Sequence, residues 1–224
     1  MIIVLDLDDT LYDELSFVKS GFRAVSEYLY RKFSINPKKS FLFMCKKLKT
    51  DGRGRIFDDL LIKYGIYTKK EVLECIKIYR HHQPKISLFP DAKKFLKKFN
   101  KYPIYIVTDG NKIVQRNKIK ALGLDKKAVF CYITNSYGKK AVKPSPYCFL
   151  KICKREKVSP KKVVYIGDNP YKDFVGIKKL GFKTIRIIRG QYKDVVLDDK
   201  FEADYKFNSL LEITEDFLLN ITRM

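Results

Sequence analysis

Five short apolar runs limit what this chain can fold into. Ile2-Ile3-Val4-Leu5, Ile104-Tyr105-Ile106-Val107, Val129 to Ile133, Val163-Val164-Tyr165-Ile166 and Thr184-Ile185-Arg186-Ile187-Ile188 are apolar nearly throughout and rich in β-branched residues. Such runs suit strands buried on both faces. Segments of helical period separate them: Asn111 to Leu122, ending at Gly123; Pro146 to Lys157, ending before Ser159-Pro160; and Tyr171 to Leu180, ending at Gly181. A glycine just past the last helical residue is a common stop, because it takes the left-handed conformation without steric cost. Strand and helix in alternation predict an α/β fold built on a doubly wound parallel sheet.

The first run departs from this rhythm. After Tyr12 the chain reads as helix for a long stretch, over Phe17 to Lys32, Lys39 to Lys49, Arg55 to Tyr64 and Lys69 to Arg80, with turns at Asn36-Pro37, Asp51-Gly52, Gly54 and Gly65. Only at "SLFPDAKKFLKKF" does the helix leading into the second strand begin. A helical block placed just after the first strand, on the side where such sheets bind ligands, predicts a lid. The expected division is residues 1–13 and 88–224 as core and 14–87 as an α-helical cap. Hinges are expected near Asp13 and near Pro84 to Ser87. The tail predicts a short edge strand over Ala203 to Phe207 and a closing helix over Leu210 to Leu219.

Composition sorts the partner classes. The net charge of +22 suits a polyanion partner, but the lysines are scattered in pairs along the chain and form no basic arm. Solvated helix faces account for that spread, so nucleic acid is not the expected partner, whereas a positive field that draws in a small anionic substrate is. The five cysteines (Cys45, Cys75, Cys131, Cys148, Cys153) include no C-x-x-C pair and read as reduced thiols of a cytoplasmic protein. No run is long enough for a membrane span, and Met1 to Leu5 is too short for a signal peptide. A monomer or homodimer is expected.

The first strand runs directly into Asp6, Asp8 and Asp9, with Thr10 following. Two unpaired acids at the end of a buried strand would cost several kcal/mol, so a divalent metal is the natural compensation. In a parallel sheet the loops after the strands share one edge. That edge should gather Asp6-x-Asp8, then Thr108-Asp109-Gly110, then Lys143-Pro144, then Gly167-Asp168 through Asp173.

The ordered set D-x-D-x-T, strand plus Thr, Lys-Pro and G-D-x-x-x-x-D resembles the haloacid dehalogenase superfamily, in its phosphatase branch with a small α-helical cap after the first strand. The resemblance implies a Rossmann-like core and Mg²⁺ as cofactor. It makes Asp6 the nucleophile that forms an aspartyl-phosphate, and Asp8 the group that protonates the leaving oxygen and then activates water. Asp6, Asp168 and the backbone carbonyl of Asp8 would ligate the metal. Thr108 and the backbone N–H groups around Asp109-Gly110 would hold phosphoryl oxygens. Lys143 would pair with phosphoryl charge and with Asp6, and Asp173 would hold Lys143 or a metal-bound water.

Other residues carry plainer expectations. Asp9 reads as a solvated or capping acid, and Thr10 as bonding locally to turn backbone. His81-His82 should end the last cap helix, and Tyr12, Phe95 and Phe99 should be core. Arg53 and Arg55, flanking Gly54, either grip a second anionic group on the substrate or form a solvated turn.

By the same resemblance, dehalogenating and phosphonate-cleaving members lack an acid two residues after the nucleophile. Asp8 therefore favours transfer from a phosphate ester. The expected activity is a Mg²⁺-dependent phosphatase for a small metabolite, of the sugar phosphate or nucleotide monophosphate class. A sugar phosphomutase is the alternative within the same chemistry. A nucleic-acid-binding protein with a degenerate site is the alternative from another class.

Overall fold

A computed structural model describes residues 1–223. The chain divides into two compact units, one built from Met1–Glu14 and the chain from Ser87 onward, the other from Leu15–Ile86.

The first unit is a six-stranded parallel sheet in the order β3-β2-β1-β4-β5-β6, formed by β1 (Ile2–Leu5), β2 (Ile104–Thr108), β3 (Phe130–Ile133), β4 (Val163–Gly167), β5 (Lys183–Ile187) and β6 (Tyr205–Phe207). The doubly wound α/β expectation holds. β1 lies at the centre with Ile3 opposite Ile104 on one side and Val4 opposite Tyr165 on the other. Every residue of β1, β2 and β4 is buried, which is why these strands read as unbroken apolar runs instead of alternating ones. Val4, Tyr105, Val107, Val163 and Tyr165 share one core cluster with Phe149 and Ile152 of the helix Tyr147–Glu156. Phe95 and Phe99 are buried as expected.

The second unit contains α1 (Glu14–Phe33, starting one residue earlier), α2 (Pro37–Asp51), α3 (Ile56–Lys63) and α4 (Lys69–His81). Val18, Phe22, Val25 and Leu29 of α1 pack with Met44, Ile56, Leu60, Leu61 and Cys75, an apolar stripe at helical spacing. Local chemistry sets the helix starts. The Asn36 side chain accepts from Lys39 N with Pro37 at the first helical position, and the Thr68 hydroxyl accepts from Glu71 N. His81 ends α4, as expected.

Further helices of the first unit are α5 (Pro90–Lys98), α6 (Lys112–Ala121), α7 (Tyr147–Glu156), α8 (Val175–Lys178) and α9 (Glu215–Arg223). Two expectations are corrected. The helix expected over Tyr171 to Leu180 shrinks to the four residues of α8. Side chains capture the chain before it can start: Asn169 N donates to Asp173 Oδ2 (2.9 Å) and Tyr171 N to Asn169 Oδ1 (3.0 Å), so short polar groups compete with the helical ladder. The closing helix is also split. Leu210–Glu212 makes one tight turn, and α9 begins only after Thr214, whose hydroxyl accepts from Phe217 N.

Candidate active site

The carboxyl ends of β1, β2 and β4 deliver Asp6, Thr108 and Asp168 to one edge of the sheet. Asp6 continues the ladder by donating its N–H to Ile166 O (2.9 Å), so its side chain is held by strand geometry instead of a mobile loop. Its carboxylate accepts from Lys143 Nζ at 2.8 Å. The same ammonium donates to Asp173 Oδ1 at 2.7 Å and to the Tyr165 hydroxyl at 3.0 Å. Carboxylate oxygens of Asp6, Asp168 and Asp173 lie within 4.8 Å of one another, all buried. Three negative groups thus face one internal cation.

Charge balance sets the protonation of this group. Burial drives the Asp6 carboxyl up to about 7; Lys143 opposes that rise and Asp173 adds to it. Asp168 is pushed well above the usual carboxylate range, first by burial and then by Asp173 and Asp6. Burial pulls Lys143 down, but the Asp173 and Asp6 carboxylates outweigh it and raise it well above an ordinary lysine. The site is short of positive charge, as a cation-binding site should be.

Asp8 sits in a separate set of contacts. Its Oδ1 accepts from the Tyr12 hydroxyl (2.5 Å) and from Lys118 Nζ (2.7 Å). Its Oδ2 accepts from Gln115 Nε2 (2.9 Å), which also donates to Thr108 Oγ1 (2.6 Å). Burial works to raise the Asp8 carboxyl, but the Lys118 charge and these hydrogen bonds hold it below the usual range. Tyr12, expected as plain core, is fully buried and also spends its hydroxyl on Asp8.

Asp109 and Gly110 are tied into the framework. The Asp109 carboxylate accepts from Thr134 Oγ1 (2.5 Å), Lys143 N (3.1 Å) and Lys172 Nζ (3.0 Å), which joins the loops after β2 and β3 to the lysine segment. Gly110 N donates to Asn135 Oδ1 (2.8 Å). Its φ of +133° requires glycine, and a Cβ there would press on the Gln115 side chain.

One further expectation changes, and one is resolved between its alternatives. Thr10 does not bond locally: its hydroxyl reaches across the sheet to Asp168 Oδ1 at 3.1 Å. Asp9 is not solvated. It takes φ +54° and accepts from Glu14 N and Gln191 N, so its capping role is the one observed. Within the helical unit, Arg53 lines a cavity of about 290 Å³ with Phe22, Phe57, Tyr79 and Arg80, whereas Arg55 is exposed and precedes α3.

Sequence reasoning missed Tyr12, Gln115, Lys118, Tyr165, Lys172 and Arg186 as site residues. Arg186 is fully buried, donates Nε to the Asp168 carbonyl (3.3 Å) and grips Glu202 with two bonds of 2.8 and 3.0 Å. Its one available signal was a charge inside an otherwise apolar strand run.

The sequence pattern of haloacid dehalogenase-like hydrolases matches residues 1–181. The chain belongs to that family. Among curated relatives, a glyceraldehyde 3-phosphate phosphatase of Methanocaldococcus jannaschii is 32% identical over 95% of both chains. A protein of the same name from Pyrococcus furiosus is 31% identical over 96% of this chain and 91% of its own. This haloacid dehalogenase-like hydrolase therefore belongs with the phosphatases, with its helical insertion after β1. Solved structures share the fold. A putative hydrolase of the superfamily from Bacillus subtilis, described as bound to magnesium, superposes with TM-score 0.65 at 17% identity, covering 100% of this chain and 98% of its own. A phosphatase of the superfamily from Thermococcus onnurineus gives 0.59 at 24% identity over 94% of both. Among the described residues, no helix is long and apolar enough to cross a membrane.

Proposed function

We propose that this hydrolase is a Mg²⁺-dependent phosphatase that cleaves a small phosphorylated metabolite through an aspartyl-phosphate on Asp6. The observation that carries this reading is the buried Asp6–Lys143–Asp173 ion pairing with Asp168 oxygen alongside. A donor set made only of carboxylate oxygens, with too little internal positive charge, fits a hard divalent cation. Asp6, Asp168 and the Asp8 carbonyl would hold it, with Asp173 close by. Bound there, Mg²⁺ would offset phosphoryl charge and relieve its repulsion from Asp6.

The chain's own groups then do the following. Lys143 opposes protonation of Asp6 and aims its carboxylate. Asp6 attacks phosphorus in line as the bond to the leaving oxygen breaks, and Asp8, protonated from solvent as the anionic substrate binds beside it, gives that oxygen a proton. Asp8 next takes a proton from water as the water oxygen bonds to phosphorus, which frees Asp6 and inorganic phosphate. Thr108 and the backbone at Asp109-Gly110 contact the phosphoryl oxygens; for Gly110 this requires its N–H to exchange Asn135 for substrate. The sequence pattern makes Arg53 and Arg55 candidates to grip a second anionic group on the substrate.

The phosphatase relatives make a three-carbon sugar phosphate the first candidate within the sugar phosphate class. A panel of phosphorylated metabolites, with Mg²⁺ or with chelator, should yield phosphate release that Asp6→Asn abolishes. Undiminished hydrolysis by Asp6→Asn would overturn the assignment. Replacing Arg53 or Arg55 by Ala should raise KM for the best metabolite far more than for an aryl phosphate, and equal effects would remove their reading role.

A further inference from the structure

Lysines on α6 divide sharply. Lys112 and Lys120 are exposed, as is usual in this lysine-rich chain, whereas Lys118 is buried with only 4% of its side chain accessible. Burying an ammonium is costly unless a partner compensates. The observed carboxylate partner is Asp8, 2.7 Å away, and the Lys118 charge also lies 5.9 Å from the centre of the Tyr12 ring. Gln115, three residues earlier on the helix, projects from the same face and contacts the other Asp8 oxygen. One helix face thus addresses both oxygens of one carboxylate.

The bonds are unequally divided. An ionised carboxylate offers about four lone-pair sites, two on each oxygen. On Oδ1 both are taken, by Tyr12 and Lys118. On Oδ2 one is taken by Gln115, a neutral donor that also serves Thr108, and among the described residues nothing takes the other. We propose that Lys118 is the positioning residue for Asp8: with Tyr12 it anchors Oδ1, so that Oδ2 is the oxygen that delivers and collects the proton. This rests on the reading of Asp8 as the acid–base group. In the first step a proton that Oδ2 has taken from solvent as the anionic substrate binds passes to the leaving alkoxide as the P–O bond breaks. In the second, Oδ2 takes the proton of the water whose oxygen bonds to phosphorus. Lys118 touches neither reacting group, and its effect is on where Asp8 points.

A merely structural lysine and a positioning lysine differ in which substrates suffer. An alkyl phosphate has a leaving group that needs a proton, whereas p-nitrophenolate departs without one. We would compare kcat/KM, which reports formation of the phosphoenzyme, for glycerol 3-phosphate and p-nitrophenyl phosphate in the parent protein, Lys118→Met, Lys118→Arg, Tyr12→Phe and Asp8→Asn. Proton transfer by a placed side chain is worth about 10²–10⁴-fold. Lys118→Met should therefore depress the alkyl substrate at least about tenfold more than the aryl one, and Lys118→Arg should restore part of that difference. Equal loss on both substrates for Lys118→Met, beside a selective loss for Asp8→Asn, would overturn the positioning role and leave the acid–base reading intact. A non-selective Asp8→Asn would instead overturn the acid–base reading and this inference with it. If Lys118→Met does not fold, Tyr12→Phe, which removes the other Oδ1 donor, decides the question: a selective loss supports the anchored-oxygen account and a non-selective one refutes it.

Discussion

Removing the Lys143 ammonium should show how much of the fold depends on charge balance at this edge of the sheet. Lys143→Met keeps most of the side-chain volume but deletes the cation that lies 2.8 Å from Asp6 and 2.7 Å from Asp173, with 1% of its side chain accessible. Breaking a buried pair by removing one partner costs about 3–5 kcal/mol, since the remaining charges stay desolvated. In a chain of this size each kcal/mol moves Tm by about 2–4 °C, so the metal-free variant should melt about 6–20 °C lower. The carboxyls can escape part of this by holding a proton, the tendency already visible in the raised Asp6. The folded variant then binds more protons than the unfolded chain, whose acids are ionised at neutral pH. Its stability should accordingly fall as pH rises from 6 to 8. Mg²⁺ at the proposed site would stabilise both proteins, but the variant lacks the ammonium that competes for Asp6 and should bind it more tightly, and each tenfold lower Kd narrows the deficit by about 1.4 kcal/mol at saturating Mg²⁺. Thermal melts with chelator and with rising Mg²⁺ should therefore show the deficit narrowing as Mg²⁺ increases. A deficit below about 1 kcal/mol, or one that Mg²⁺ leaves unchanged, would refute the reasoning.

Thr10→Val deletes the hydroxyl that orients Asp168 Oδ1; groups that steer a metal ligand are typically worth 10–100-fold in affinity, so the Mg²⁺ needed for half-maximal activity should rise by roughly that factor, with little change in Tm. In Gly176→Ala the new Cβ would fall 1.6 Å from the Pro144 carbonyl oxygen, so stability should drop by about 1–3 kcal/mol in urea melts, with lower kcat as the Lys143-Pro144 segment is displaced. Asp91 is raised by burial, but Arg189, the Leu210 N–H and Ser209 hold it below the ordinary carboxylate range. A carboxyl depressed in the fold stabilises above its unfolded pKa of about 3.9 and loses that contribution as pH falls through its folded value. Asp91→Asn should thus be destabilised in urea melts at pH 7, with the gap to the parent closing below about pH 4.

The strands were readable because burial on both faces leaves an unbroken apolar signature, and the rule that loops share the carboxyl edge then brought Asp6, Thr108, Lys143 and Asp168 into one neighbourhood before any coordinates. Side-chain hydrogen bonding escaped that approach. Asn169 and Asp173 bond to backbone and pre-empt a helix that periodicity alone would start at Tyr171. Thr10 looked like a turn residue, and its partner Asp168 lies just past β4, far along the chain. Lys118 was hidden by composition: among 47 basic residues, one buried lysine has no distinguishing pattern in the sequence. Tyr12 satisfied the core expectation and so concealed its hydroxyl's bond to Asp8.

A crystal of the protein grown with Mg²⁺ and beryllofluoride, a mimic of a bound phosphoryl group, bears most directly on the mechanism. The account predicts beryllofluoride joined to an Asp6 oxygen, with the cation ligated by Asp6 and Asp168 and Lys143 against the fluorides. Density for neither group at Asp6, with Lys143 still bridging Asp6 and Asp173 at saturating ligand, would contradict it.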